Sequence, residues 1–590
     1  MEEKKILLCA LNAKYIHSNL AVYSLMAYAN RAPVKLELAE YTINNRTEEI
    51  LKEIYLKKAD VAAFSCYIWN IDQIYEITKE LKKVAPQIQI WLGGPEVSYD
   101  AKKVLLHHPQ IDLVMMGEGE ETFLQLAEWL GGSEKSLQEI RGICYRKDGQ
   151  VQENLPAERM DMDTLPFVYQ DLDKFKNKII YYETSRGCPF SCSYCLSSID
   201  KKVRFRSFAL VKKELQYFLD HKVKQVKFVD RTFNCHHEHA MQIWEYITEH
   251  DNGITNFHFE VSADLLREED IVLFHKMRPG LIQLEIGVQS TNEKTIEEIR
   301  RTMDLDQLKN LVAEVKKIGN IHQHLDLIAG LPYEDYETFG KSFDEVFLME
   351  PDQLQLGFLK VLKGSYMYEK SRDYQIAYGS RAPYEVLLTK WLSYDEVLSL
   401  KEIEEMVELY YNSAQYTKTL PYLLSFEKRP FTFFEKLAGF YYANEQIGVK
   451  HARIFFYEML RNFAIATYPV DEMVLEELLV YDLYLRENIK KRPSWAHTVP
   501  LEKKAATKFY RKEETGIYFK EMEPYDSKTA AGNAHVEKFS IDVDTYENKD
   551  WWALFNYHAR NPLTYDAKVW EVKGIEDGTG KNIGDMQDTK

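Results

Sequence analysis

Ser185-Arg186-Gly187-Cys188-Pro189-Phe190-Ser191-Cys192-Ser193-Tyr194-Cys195 decides how the 590-residue chain is read. Its cysteines are spaced C-x3-C-x2-C, directly after a run, Ile179–Glu183, that reads as a strand. Thiolates are the usual ligands of iron–sulfur clusters. Three in one short loop can hold three corners of a [4Fe-4S] cube. No fourth cysteine is nearby, so one iron stays open for a substrate-like ligand. A structural zinc site wants four ligands, and an electron-transfer cluster wants all four corners filled. Cys188, Cys192 and Cys195 are therefore the candidate metal ligands and the centre of any catalysis.

Working outward, six strand candidates run from about Lys178 to Tyr366: Ile179–Glu183, Gln225–Val229, Asn256–Val261, Leu281–Val288, His322–Ile328 and Gln353–Leu359. Helical patterns separate most of them, which predicts a partial or complete parallel barrel with its site at the C-terminal mouth. Upstream, Ile6–Leu11, Val61–Ser65, Ile88–Leu92 and Leu113–Met116 alternate with helical stretches at Asn19–Ala29, Asp72–Val84, Ala101–His107 and up to about Leu130. Such alternation predicts a doubly wound parallel sheet that binds ligands at its carboxyl strand ends. Ser65, Gly93, Gly94, Gly117, Glu118 and Gly119 stand there. Gly142–Val151, centred on Asp148-Gly149, reads as a hairpin, and Pro156 to Asp173 as a linker.

From about Tyr394 to Glu487 the pattern is helical, and its many aromatics read as helix packing. Short strands are expected at Ala505–Arg511, Gly516–Glu521, His535–Val543 and Lys568–Val572, and a disordered tail from Asp577. The fold class is α/β. A Rossmann-like doubly wound parallel sheet (1–135) leads through a hairpin and linker (136–175) to a partial (β/α)6 barrel (176–395). A mixed C-terminal helical/β domain (396–590) follows, helical to about 490 and then β-rich.

Composition narrows the partners. The net charge of −17 argues against nucleic acid, which needs clustered Lys and Arg. No stretch approaches 18 uninterrupted apolar residues, and the acidic start does not resemble a signal peptide, so a cytoplasmic protein without a membrane partner is expected. Seven cysteines, three of them clustered, suggest metal binding rather than disulfides.

The C-x3-C-x2-C motif after a first strand, with Tyr194 before the third cysteine, resembles the radical S-adenosylmethionine (SAM) superfamily. The resemblance implies that SAM chelates the open iron through its amino and carboxylate groups. One electron from the reduced cluster then breaks a C–S bond and yields a 5′-deoxyadenosyl radical, which abstracts hydrogen from a substrate. It further implies an electron donor such as flavodoxin or ferredoxin. By the same resemblance, Asp230 stands where the family has a Gly-Gly-Glu-like turn for the methionine amino group, from which this sequence departs. Glu260, Ser262, Glu285, Gln289 and Ser290 mark SAM-contacting strand ends, with Gly330–Glu334 near the adenine contact. Tyr194 is an adenine contact, and Arg204, also a candidate cofactor contact, and Arg206 are candidates to neutralise the substrate carboxylate.

Ser65-Cys66-Tyr67, Gly93-Gly94-Pro95-Glu96 and Gly117-Glu118-Gly119-Glu120, on a doubly wound domain ahead of such a barrel, resemble the cobalamin-binding domain of cobalamin-dependent radical enzymes. Asn12–Ser18 lacks the D-x-H-x-x-G motif, which implies base-off, His-off cobalamin, with His17 as the histidine nearest the place of an axial ligand. Methyl transfer to an unactivated carbon of an unidentified small molecule or peptide is the leading reaction. Cyclisation or oxidative rearrangement, and a non-catalytic redox or cobalamin sensor, stay open. Cys235-His236-His237-Glu238-His239 reads as the start of a helix rather than a metal cluster, His322 and His324 share one strand face, and Cys9, Cys66 and Cys144 read as isolated thiols.

Overall fold

The structure is a computed structural model and describes residues 3–573 and 575. The tail expected to be disordered from Asp577 lies outside the described residues.

Strands β1 (Lys5–Asn12), β2 (Lys35–Thr42), β3 (Val61–Ser65), β4 (Gln89–Gly93) and β5 (Leu113–Met115) are parallel, in the order β2-β1-β3-β4-β5. Every residue from Ile6 to Leu11 is buried. A parallel strand covered on both faces shows no alternation, which is why it reads as an unbroken apolar run. The strand order reverses between β1 and β3, and such a switch point opens a ligand crevice at the carboxyl ends. The hairpin expected in the linker instead extends this sheet: β6 (Ile143–Lys147) pairs antiparallel with β5, and β7 (Gln150–Glu153) with β6. Asp148 (φ 50°) and Gly149 (φ 78°) supply its two left-handed turn positions. Edge strand β2 and the helix Thr47–Leu56 after it were not expected.

The second sheet contains β8 (Ile180–Tyr182), β11 (Gln225–Phe228), β12 (Asn256–Val261), β13 (Ile282–Gln289), β14 (His322–Ala329) and β15 (Gln353–Phe358), ordered β15-β14-β13-β12-β11-β8. A short antiparallel pair, β9 (Ser185–Arg186) with β10 (Arg204–Phe205), brackets the cysteine loop. Outward-facing Tyr182, Phe228 and Phe259 interlock with Phe218 and Trp244 of the helices Phe208–Asp220 and His237–Glu249. β8 and β15 are the free edges, so the sheet is a partial barrel.

The chain forms two compact units, Met1–Phe339 with Gly357–Val397, and Gly340–Leu356 with Leu398–Lys590. The first includes a strap after β15 carrying β16 (Ala377–Tyr378) and β17 (Val386–Leu388). Its Val361, Met367, Ile376 and Val386 pack with Ile299 and Leu331 in one apolar cluster, and Tyr194 packs against that cluster. In the second unit, the helices Pro430–Ala443, Arg453–Thr467 and Glu472–Arg486 bury the aromatics that the sequence marks as packing residues.

Two strand expectations fail there. Ala505–Arg511 lies in the α-helix Lys503–Arg511, and Gly516–Glu521 begins inside a 3₁₀ segment, Glu513–Phe519. Ala506, Phe509 and Tyr510 stand at i, i+3 and i+4 and pack into one core, which is a helical period. The antiparallel sheet is β18 (Val499–Pro500), β19 (Ala534–Ile541), β20 (Asn548–Arg560) and β21 (Ala567–Val572), paired in that order. Among the described residues, no helix is long and apolar enough to cross a membrane.

Candidate active site

Backbone bonds fix the cysteine loop at the carboxyl end of β8. Gly187 has φ +96°, and a Cβ there would stand 2.7 Å from Lys202 O, so only glycine lets the two arms of the loop cross. Cys188 N donates to Asp200 O (2.9 Å), Ser193 N to Ile299 O (2.8 Å), and Met367 N from the strap to Ser193 O (2.8 Å). Cys188 and Cys192 are buried, Cys195 is half-buried, and all three are free thiols. Among the described residues, no group of three His, Cys, Asp or Glu side chains has the closeness of ligands sharing one ion.

The cations around this loop differ in what they already hold. Arg204 donates to Glu118, to Asp200 (3.0 Å) and to Met160 O (2.9 Å). Arg206 pairs with Glu214 through Nε (3.0 Å) and Nη2 (2.5 Å). Both guanidiniums, expected to neutralise a substrate carboxylate, are thus held by protein carboxylates. Arg301, which the sequence reading missed, lies with Nη1 3.8 Å from Cys192 Sγ and 3.4 Å from Tyr194 Oη, and it donates from Nη2 to Gly287 O. Its Nε is buried without a hydrogen-bond partner, and among the described residues it makes no ion pair. Nothing in the sequence separates it from Arg300, which lies over the Tyr366 ring. Only the fold turns one of the two toward the cysteines.

Asp230 is buried and accepts from Thr184 N (3.1 Å), Thr184 Oγ1 (2.7 Å) and Ser185 Oγ (2.5 Å). It therefore stitches β8 to the turn after β11. Ser262 is held by Asn234 and Asp264, and Ser290 Oγ donates to Glu334 (2.6 Å). Gln289, at φ +73°, has a buried Oε1 without a hydrogen-bond partner. Its Nε2 would lie 2.3 Å from a Cβ at Gly287, so that glycine makes room for the folded-back amide. Burial, aided by the Glu285 carboxylate, pushes Glu260 up to about 7. Glu285 itself lies below Gly287 and Gln289 on β13, bonded to Lys227 (2.9 Å) and His258 (2.8 Å).

The crevice between β1 and β3 is lined in the same unit. Asn19 donates to Ser65 Oγ (3.0 Å), and Asn70 to Leu11 O and Ser65 O (3.0 Å each). Tyr67 and Trp69 stack 4.4 Å apart and nearly parallel, with Trp69 Nε1 on Leu11 O (3.1 Å) and its indole 43% exposed. Gly94 has φ +113°, and a Cβ there would stand 2.5 Å from Cys66 O. At Gly117 (φ +77°) a Cβ would meet nothing within 4 Å, so this backbone faces open space. At Gly93 and Gly119 a Cβ would come 3.0–3.1 Å from Met115 and Leu25.

Glu118 and Glu120 reach the other way and pair with Arg204 and Arg186 beside the cysteine loop. His17 turns to Tyr181 Oη (2.6 Å), so its ring is engaged at the start of the barrel. The thiols of Cys9 and Cys66 donate to carbonyls two residues back, and Cys144 is buried in β6. His236 caps the helix His237–Glu249, His237 pairs with Asp270 and His239 with Thr184, which gives that trio structural partners.

The geometry thus joins a three-thiol loop, a half-buried arginine without a carboxylate partner beside it, and a glycine-lined crevice. Comparison with known families gives the same division: the B12 binding domain matches residues 6–127, the radical SAM superfamily residues 182–346, and a protein family of unknown function, DUF4080, residues 372–555. The chain is a radical SAM enzyme with a B12-binding domain. Its cofactors are a [4Fe-4S] cluster, SAM and cobalamin. The DUF4080 match begins in the strap of the first unit and continues through the second.

Among curated proteins, the radical SAM enzyme is 26% identical to an uncharacterised methyltransferase of Pyrococcus horikoshii, over 65% of this chain and 82% of that protein. It is 25% identical to the cobalamin-dependent radical SAM methyltransferase TokK of Streptomyces tokunonensis, over 48% of this chain and 44% of that one. Most such relatives are methyltransferases, and anaerobic magnesium-protoporphyrin IX monomethyl ester cyclases are also found. The chain spans about half the length of several of them. The solved structure of the cobalamin-dependent SAM radical enzyme OxsB superposes with a TM-score of 0.56 at 16% identity, over 82% of this chain and 81% of that one, a likeness of fold.

Proposed function

We propose that the enzyme transfers a methyl group to an unactivated carbon of a small organic molecule or peptide, from the N-terminal domain bounded near 1–135 to a substrate in the barrel bounded near 176–395. Cys188, Cys192 and Cys195 hold the cluster. When bound, the cluster and SAM supply a 5′-deoxyadenosyl radical, and cobalamin supplies a methyl carrier. Arg301 pairs with the SAM carboxylate, because it is a half-buried cation beside Cys192 with no carboxylate of its own. Gln289 and Glu260 offer acceptors to SAM hydroxyl or amino groups, Ser262 follows Glu260 at the end of its strand, and Tyr194 stands with Arg301 beside Cys192. Asp230 and Ser290 position the strand ends rather than touching SAM. Ser65, Gly93, Gly94, Gly117 and Gly119 line the cobalamin crevice, where the exposed Trp69 indole gives the corrin an apolar floor. Glu118 and Arg204 hold that crevice against the cysteine loop.

The observation that carries this reading is Arg301, an unpaired cation beside the cluster loop, in one unit with a crevice at a topological switch point. The experiment is reductive turnover with methyl-deuterated SAM and flavodoxin or ferredoxin. The reading expects 5′-deoxyadenosine and label passing from cobalamin to product. A product without label, alongside 5′-deoxyadenosine, would favour cyclisation or rearrangement, as the ester cyclases among the relatives suggest. No 5′-deoxyadenosine from a reduced cluster would favour a sensor.

A further inference from the structure

The inner face of this barrel is titratable where such interiors are ordinarily filled by branched apolar side chains. Lys227 on β11, His258 on β12, Glu285 on β13 and His324 on β14 all face inward. Strand alternation requires this, because their neighbours Phe228 and Phe259 pack against outer aromatics and Gln323 bonds to Val312 O of an outer helix. Glu285 and His324 are register partners, and Lys227 and His258 are partners one layer deeper.

This layer holds charge at the expense of desolvation. Burial opposes ionisation of Glu285, yet bonds from His258 and Lys227 hold its carboxyl down at about 2. Both bonds go to Oε2. His324 is 7% exposed, and its Nε2 lies 3.1 Å from Asp326 Oδ1 without making an aligned hydrogen bond. Glu260 and Asp326 face the same interior, so carboxylates, an ammonium and imidazoles are interleaved across it. An apolar guest would cover Glu285 Oε1, which neither bond uses, and leave it without a partner, which buried polar groups penalise heavily. A site built of hydrogen-bonding groups rejects a ligand lacking partners for them by about 10⁴–10⁵.

We propose that this Lys227–His258–Glu285–His324 layer is the substrate floor, and that the substrate is a hydrophilic molecule offering both hydrogen-bond donors and acceptors, not a lipid. The proposal rests on the radical reading above. It places the hydrogen-donating carbon of the substrate over the layer, level with Glu260 and beneath Gln289.

The test uses the full-length, cluster-reconstituted protein with SAM and reductant, and follows 5′-deoxyadenosine. The probes are a water-soluble small-molecule extract and a chloroform-soluble extract of the source organism. The expected result is several-fold stimulation over basal cleavage by the aqueous extract alone. That stimulation ratio should fall toward one in Glu285→Gln and in Lys227→Met, with iron content and circular dichroism matching the wild type. Stimulation by the chloroform extract, equal ratios in both variants, or intact basal cleavage that the aqueous extract leaves unchanged would each overturn the proposal. Absence of basal cleavage in the wild type would instead fail the radical reading.

Discussion

Two single residues carry predictions of their own. Arg301→Met removes a charge-assisted partner and should weaken SAM binding roughly 10- to 100-fold, with cluster iron retained. Arg301→Lys should recover only part of that, because an ammonium cannot reproduce the guanidinium fork. Equilibrium dialysis with labelled SAM checks both, and wild-type affinity in Arg301→Met would remove the assignment. Glu260 predicts a pH dependence. Its carboxyl is pushed from an ordinary 4.5 up to about 7 by burial and by Glu285. A carboxyl raised on folding contributes its full stability below the unfolded value and loses it as pH rises through the folded one. Glu260→Gln should therefore stabilise the apoprotein by up to about 3 kcal/mol near pH 8, with the gain fading toward pH 4. Denaturant melts at several pH values measure this, and a gain independent of pH would contradict it. At this scale the sequence made the three cysteines legible, because their chemistry lies in spacing alone. The commitment of Arg204 to Glu118 and the freedom of Arg301 were not legible, since both depend on partners about 90 and 110 residues away in sequence.

At the scale of elements, glycines at neighbouring strand ends make a contrast. Gly94→Ala meets both a left-handed φ and the Cys66 carbonyl, so it should destabilise by more than about 2 kcal/mol. Gly117→Ala meets the φ penalty alone and should cost only about 1 kcal/mol, yet lower cobalamin affinity by crowding the open crevice. Thermal unfolding paired with cobalamin titration separates the two, and equal destabilisation would remove the distinction. Buried parallel strands were readable because runs such as Ile6–Leu11 have no competing pattern. Edge strand β2 was missed because Lys35–Leu38 alternates charge with leucine but the adjacent Leu38 and Ala39 break the period-2 pattern. The helix Lys503–Arg511 was misread because Phe509 and Tyr510 favour strands, and its period shows only when Ala506 is counted. β20 was missed because Asn, Lys and Asp open it and His and Arg close it.

At the scale of the whole molecule, the cobalamin domain and the barrel are joined by buried charge. Arg186, between the first barrel strand and Cys188, donates from Nη2 to Glu120 at 2.6 Å and from Nε to Glu183 at 2.9 Å. Lys363 and Tyr384 of the strap close on Glu96, two residues after Gly94. Breaking a buried pair leaves an uncompensated charge and costs about 3–5 kcal/mol. Arg186→Met should therefore split the unfolding of the first unit into two calorimetric transitions, whereas one unshifted transition would show that the pair does not couple the domains. That one chain holds both cofactors is tested most directly by anaerobic reconstitution of the protein with iron, sulfide and hydroxocobalamin, then desalting and metal analysis. About four irons and about one cobalt per chain are expected, with the iron lost in Cys192→Ala. Iron without cobalt, or iron retained in Cys192→Ala, would contradict it.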